Sequence, residues 1–254
     1  MIAAGVSYTD EGDGPPMILI MGLGAAANVW APHASVWSRK FRCISVDNRG
    51  AGDSPLGAEP ASTANMAQDV VRLMEALELG PSAVIGISMG AGIAQELALA
   101  RPDLVRKLVL VAPWARCDAY TRSVLNVLGR VHSLGDPRSF NELLRNTIWT
   151  PRWVDENGES MEADLSLPLS MPSEAFWQQV QACQEHDAFA RLAELRVPTL
   201  VTVGDRDVFI HPELSLEVAA QLPGAELRIF DGTGHVHHWE ELQKFNDLIE
   251  NWTK

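Results

Sequence analysis

Six short apolar runs constrain this chain more than anything else in it: residues 17–21, 43–46, 83–87, 107–111, 199–203 and Glu226–Phe230. They are bounded by Gly, Pro or Asp, and most lack the polar alternation of a strand with one wet face. That is the pattern of strands covered on both faces of a parallel sheet. Between several of them the apolar spacing becomes helical. Met66, Val70, Leu73 and Leu77 recur at 3.6-type spacing after Thr63, a candidate cap. Further helices are expected over 89–100, stopped by Pro102, over Pro212–Gln221 with proline at its start, and over about 239–252. Strands alternating with helices predict an α/β domain whose central sheet is mainly parallel and flanked by helices.

The rhythm breaks once. From Pro113 to Val197 no convincing strand occurs, while helical patterns do, as at 121–131 and 173–183. A loop of this length without structure of its own would be unusual in a compact domain. Residues 113–197 are therefore expected to form a helical cap inserted into a core made of 1–112 and 198–254. Trp114, Trp149, Trp153 and Trp177 fall in this stretch. As a group they favour an apolar pocket wall, although aromatic side chains most often pack a core.

The 254 residues carry a formal net charge of −13 and no Lys/Arg cluster. Nucleic acid and anionic membrane surfaces are approached through such clusters, so neither is an expected partner. No apolar stretch nears the ~18 residues of a membrane span, and no basic-then-apolar leader opens the sequence. Cytoplasmic residence is the default expectation. Cys43, Cys117 and Cys183 are odd in number and widely spaced, which speaks against a disulfide framework or a zinc site.

Gly86-Ile87-Ser88-Met89-Gly90 fits G-x-S-x-G, and its setting matters more than the pattern. It follows an expected buried strand and opens an expected helix, the context of a nucleophile elbow. Glycines two residues either side of the serine allow close backbone approach at a tight turn. The helix start supplies free N–H groups and a positive dipole end, so the Met89 N–H can face a developing oxyanion. A serine hydroxyl needs a base within reach, and histidine suits that task. His235, His237 and His238 compete; His235 lies in a Gly-rich turn just after a strand, whereas the other two suit partly exposed or supporting positions where the last helix begins.

Four ordered motifs give the sequence a resemblance to the α/β-hydrolase family, in particular its small capped members. They are Met21-Gly22-Leu23-Gly24, the D-x-R-G-x-G-x-S-like segment from Asp47 to Ser54, the elbow at Ser88, and the pair Gly204-Asp205-Arg206-Asp207 and Gly232-Thr233-Gly234-His235. The resemblance spans nearly the whole chain and implies an α/β-hydrolase fold with a Ser-acid-His order. The family's G-x-x-D pattern selects Asp207 as the acid that orients His235, leaving Asp205 as a turn former. The match also implies the Leu23 N–H as the second oxyanion donor; Met21 stands where the family often has His, which spares that backbone group. Asn28 and Trp30 follow closely and either line the acyl pocket or pack the loop, and Trp114 is a further candidate substrate contact. The segment from Asp47 to Ser54 reads as scaffold, with Arg49 and Asp47 placed to pair.

These residues together imply acyl transfer to water through an acyl-enzyme, with no metal or organic cofactor. The substrate expected is a small, partly apolar ester or lactone, as for 3-oxoadipate enol-lactonases, aminoacrylate hydrolase-like proteins and carboxylesterases. A C–C bond hydrolase of ring-cleavage products would use the same triad. A non-catalytic ligand-binding member, or a cofactor-free lyase or oxygenase, would keep the fold without the acyl-enzyme. Haloalkane dehalogenases and epoxide hydrolases need Asp where this chain has Ser88. A homo-oligomer is compatible with all of this.

Overall fold

A computed structural model describes residues 1–254. Its centre is one eight-stranded sheet in the order β1-β2-β4-β3-β5-β6-β7-β8. The strands are β1 (Ile2–Ala3), β2 (Val6–Glu11), β3 (Pro16–Ile20), β4 (Arg42–Val46), β5 (Ser82–Ile87), β6 (Val105–Val111), β7 (Thr199–Gly204) and β8 (Glu226–Phe230). From β4 to β8 every pairing is parallel, and β1 and β2 add an antiparallel edge. The six apolar runs are the six parallel strands, within one or two residues at their ends. β1 and β2 were not expected: β2 reads Val-Ser-Tyr-Thr-Asp-Glu, and only its first half is buried.

The helices are α1 (Ala31–Trp37), α2 (Thr63–Ala76), α3 (Met89–Ala100), α4 (Ala119–Ser133), α5 (Pro137–Ile148), α6 (Pro151–Glu162), α7 (Ser173–Glu185), α8 (Pro212–Gln221), α9 (His237–Glu240) and α10 (Leu242–Thr253). Ser62, not Thr63, caps α2: its side chain accepts the Asn65 N–H at 3.0 Å, and Thr63 begins the helix. Helices α4 to α7 fill the interval between β6 and β7. None of the helices is long and apolar enough to cross a membrane.

The strand period of two splits the core into two layers. Met17, Leu19, Ala83 and Ile85 pack with Trp37, Phe245 and Ile249 of α1 and α10. Ile18, Ile20 and Val84 pack on the other side with α2, α3 and residues of α4 and α7. The chain leaves β3 toward β4 on one side and leaves β5 toward β6 on the other, so the strand order reverses between β3 and β5. Such a switch point opens a crevice at the carboxyl ends of the strands.

Candidate active site

That crevice holds the two loops singled out in the sequence. Ser88 follows β5 with φ 55° and ψ −121°, a conformation that costs a non-glycine residue roughly 1–3 kcal/mol and that the surrounding structure must enforce. Its N–H donates to the Val111 carbonyl (2.9 Å), and its carbonyl accepts from Ala91 N–H (2.8 Å) as α3 begins. The flanking glycines are steric requirements. A Cβ at Gly86 would lie 2.1 Å from the Gly90 oxygen, and one at Gly90 would lie 2.2 Å from the Ile20 oxygen. From the facing loop, a Cβ at Gly22 would stand 3.2 Å from Ser88 Cβ. The segment carrying Leu23 therefore lies directly against the serine, and Met89 is the first residue of α3.

The acid and the histidine come from the ends of β7 and β8. His235 Nδ1 donates to Asp207 Oδ2 at 2.7 Å; a carboxylate only accepts, so the ring proton is on Nδ1. Asp207 Oδ1 accepts from the N–H groups of Phe209 (2.8 Å) and Ile210 (2.9 Å), and the Phe209 ring lies 4.9 Å from that of His235. Asp205 does hold a turn: its Oδ1 accepts from Gly232 N–H at 2.6 Å, joining the two loops. Ser88, Asp207 and His235 are all buried, at 3–4 % exposure.

Of the two alternatives for His237 and His238, partly exposed or supporting, the structure rules out the first: both are buried and hydrogen-bonded. His237 is bonded through Nε2 to Thr202 Oγ1 (2.9 Å), and His238 through Nδ1 to His33 Nε2 (2.9 Å). Burial, with His235 nearby, pushes His237 down to about 3. Burial and the neighbouring histidines hold His238 well below the ordinary histidine range. Both rings are neutral core members at neutral pH.

The Asp47–Ser54 segment is a brace. Asp47 does not pair with Arg49; its Oδ1 accepts from Ala27 N–H at 2.6 Å. Arg49 pairs instead with Asp69 on α2, twenty residues on, where both side chains are largely buried. Asn48 Nδ2 donates to the Met21 carbonyl (2.8 Å), and Ser54 Oγ donates to the Asp47 carbonyl (2.8 Å). Of the substrate candidates, Asn28 is exposed in a 3-10 turn. Trp30 is wholly buried with Trp37, His33 and His238 in the α1/α10 layer, the packing alternative. Trp114 is buried just beyond β6, edge-on to His186, and its carbonyl accepts from Gln95 Nε2 at 3.0 Å.

Two positioning side chains escaped the sequence reading. Glu240 accepts from Gly234 N–H (3.1 Å), next to His235, and from Thr150 N–H (2.9 Å) at the start of α6. Gln179 of α7 accepts from Gly24 N–H at 2.9 Å. A signal for Gln179 exists, because it sits among Phe176, Val180 and Cys183 on the buried stripe of α7, where an apolar residue is the rule.

An alternating fold of this topology, with a strained serine elbow and an Asp–His pair on neighbouring strand ends, defines a hydrolase-type scaffold. The family profile for the alpha/beta hydrolase fold matches residues 15–242, and the chain belongs to that family. It is 29% identical to an Azorhizobium caulinodans protein, RutD, named as a proposed carbamate hydrolase, over 97% of this chain and 94% of that one. The structure is similar to an esterase from Thermogutta terrifontis, with TM-score 0.86, 26% identity and coverage of 97% and 92% of the two chains. It shares its fold with the enol-lactonase of Burkholderia xenovorans, with TM-score 0.84, 22% identity and coverage of 97% and 95%.

Proposed function

We propose that this hydrolase-family protein cleaves a small ester or lactone through an acyl-enzyme on Ser88. The observation that carries this reading is the fixed Asp207–His235 pair at the carboxyl ends of β7 and β8, on the sheet whose β5 ends in the Ser88 elbow. Ser88 Oγ attacks the carbonyl carbon while His235 Nε2 takes its proton. The Leu23 and Met89 N–H groups receive the oxyanion. The proton passes to the leaving oxygen, and His235 then activates the water that frees the acid. Asp207 holds the ring in the tautomer with a free Nε2 and offsets the imidazolium charge.

A mainly apolar surface groove of about 260 Å³ between α4 and α5 is lined by Val124, Val127, Leu128 and Leu143 with Ser123, Asn146 and Thr147, and ends at the exposed Val208, the chain neighbour of Asp207. It suits the apolar part of the substrate. The RutD relatives favour a second reading, a carbamate whose carbonyl meets the same nucleophile.

The test is turnover of p-nitrophenyl acetate with an initial burst, phosphonate labelling at Ser88, and a panel of graded esters, lactones and carbamates. Absence of labelling together with full native activity in Ser88→Ala would overturn the acyl-enzyme. A carbamate preferred over every ester would replace the first reading by the second.

A further inference from the structure

The loop carrying the Leu23 N–H is held at both ends, and by different parts of the molecule. On one side Asn48 Nδ2 donates to the Met21 carbonyl at 2.8 Å, a bond within the sheet core. On the other, Gly24 is gripped from α7 and the turn before it. Its N–H donates to Gln179 Oε1 (2.9 Å), and its carbonyl accepts from Ser170 Oγ (2.5 Å). A Cβ on Gly24 would come within 2.8 Å of the Phe176 ring, at a residue with φ +75°. Gln179 is completely buried, and its Nε2 donates to the Arg49 carbonyl at 2.8 Å. One side-chain amide thus bridges two core loops, satisfying a backbone donor on one and a backbone acceptor on the other.

We propose that Gln179 is a positioning residue for the oxyanion hole, so that the hole has its working geometry only while α7 is docked on the core. The inference rests on the reading of Leu23 as an oxyanion donor. Peptide groups are planar, so orienting the Leu23 N–H means fixing the rotations on either side of the Gly22–Leu23 peptide. Gly22 leaves the first of those rotations soft, and Gly24 frees the peptide that follows, unless something outside the loop sets them. Asn48 sets the first peptide plane and Gln179 the last. A buried glutamine in an otherwise apolar stripe is costly unless both ends of its amide are bonded, which is the arrangement present. The hole thereby becomes part of the docking of an inserted helix, and a substrate that holds α7 down also completes the oxyanion site.

The experiment compares wild type with Gln179→Met, which keeps volume and removes both hydrogen bonds, and Gln179→Glu, which keeps the acceptor toward Gly24. The readouts are kcat and KM for p-nitrophenyl acetate, thermal midpoint, and hydrogen exchange of residues 21–26. Gln179→Met is expected to lose about ten- to a hundredfold in kcat with KM changed less than about threefold, since small displacements of a transition-state donor cost rate rather than ground-state binding. Exchange at 21–26 should rise about tenfold while that of β3 and α3 stays unchanged. Gln179→Glu should recover part of the kcat. Wild-type kcat in Gln179→Met, unchanged exchange at 21–26, or accelerated exchange across the whole molecule would each overturn the proposal. Phosphonate labelling of wild-type Ser88 separates the two readings. A protein that neither labels nor turns over ester refutes the acyl-enzyme, and the exchange measurement then decides the α7 coupling by itself.

Discussion

Asp207 divides its carboxylate between two tasks: Oδ2 accepts the His235 Nδ1 proton at 2.7 Å, while Oδ1 accepts the backbone N–H groups of Phe209 and Ile210. In Asp207→Asn the amide oxygen stays with those two N–H donors, and the NH₂ must face His235. That arrangement places the ring proton on Nε2, so the histidine loses the lone pair that would deprotonate Ser88. The expected outcome is a fall in kcat of about three to four orders of magnitude with little loss of stability. Steady-state kinetics beside a thermal melt checks it, and a variant within tenfold of wild type removes Asp207 from the proposed triad.

The elbow glycines separate folding from chemistry. Gly90→Ala drives a Cβ to 2.2 Å from the Ile20 carbonyl, which only a backbone shift can relieve. It should cost about 3 kcal/mol or more, read as a lower urea midpoint or loss of soluble protein. Gly22→Ala makes a milder contact, 3.2 Å from Ser88 Cβ. We expect Gly22→Ala to fold, with kcat reduced about tenfold or more because the Leu23 loop and Ser88, the proposed oxyanion donor and nucleophile, are pushed apart. Equal stability in the two variants would contradict the packing described.

Stability should depend on pH through imidazoles that take no part in the reaction. Burial is the leading cause that lowers His33 to about 4, His186 to about 4 and His237 to about 3. Such rings are neutral when folded, whereas the unfolded chain protonates them below about 6.5. The unfolded state therefore binds more protons between those values. Stability is complete above about 6.5 and is lost as the pH falls toward 4, by up to about 1.4 kcal/mol per pH unit for each ring. Urea midpoints between pH 7 and 5, above most carboxylate titration, measure this directly. A flat profile there would mean that the folded rings take up protons over the same pH range as the unfolded chain.

Substrate size should respond at the groove between α4 and α5. Val124→Phe fills part of its wall, so kcat/KM for hexanoate esters should fall about tenfold or more relative to acetate, the scale of discrimination by one or two methylenes in an apolar pocket. A uniform change across chain lengths would show that the apolar portion lies elsewhere.

Much of this was legible because the responsible forces act locally. Strands buried on both faces leave uninterrupted apolar runs, which is why β3 to β8 could be read. β2 could not, because it is an edge strand whose second half is polar and exposed. The elbow announced itself through glycines that the close approaches at Ile20 and Gly90 demand. Arg49 was assigned to Asp47, two residues away, whereas its partner Asp69 lies on α2, a choice that only tertiary packing makes. Gln179 and Glu240 were missed for the same reason, since each bonds backbone groups distant in sequence. For His237 and His238 the sequence leaves exposure and support both open, because a polar residue at a helix start reads as wet until its buried partners are known.

The sheet order has a kinetic consequence. The histidine turn follows β8, which pairs only with β7, while the serine sits three strands away at the end of β5. Hydrolysis in a refolding chain therefore cannot begin until the last parallel strand has zipped onto its neighbour, however early the elbow forms. Recovery of turnover is a clock for the closing of that far edge, and non-local pairings of this kind are the slow ones.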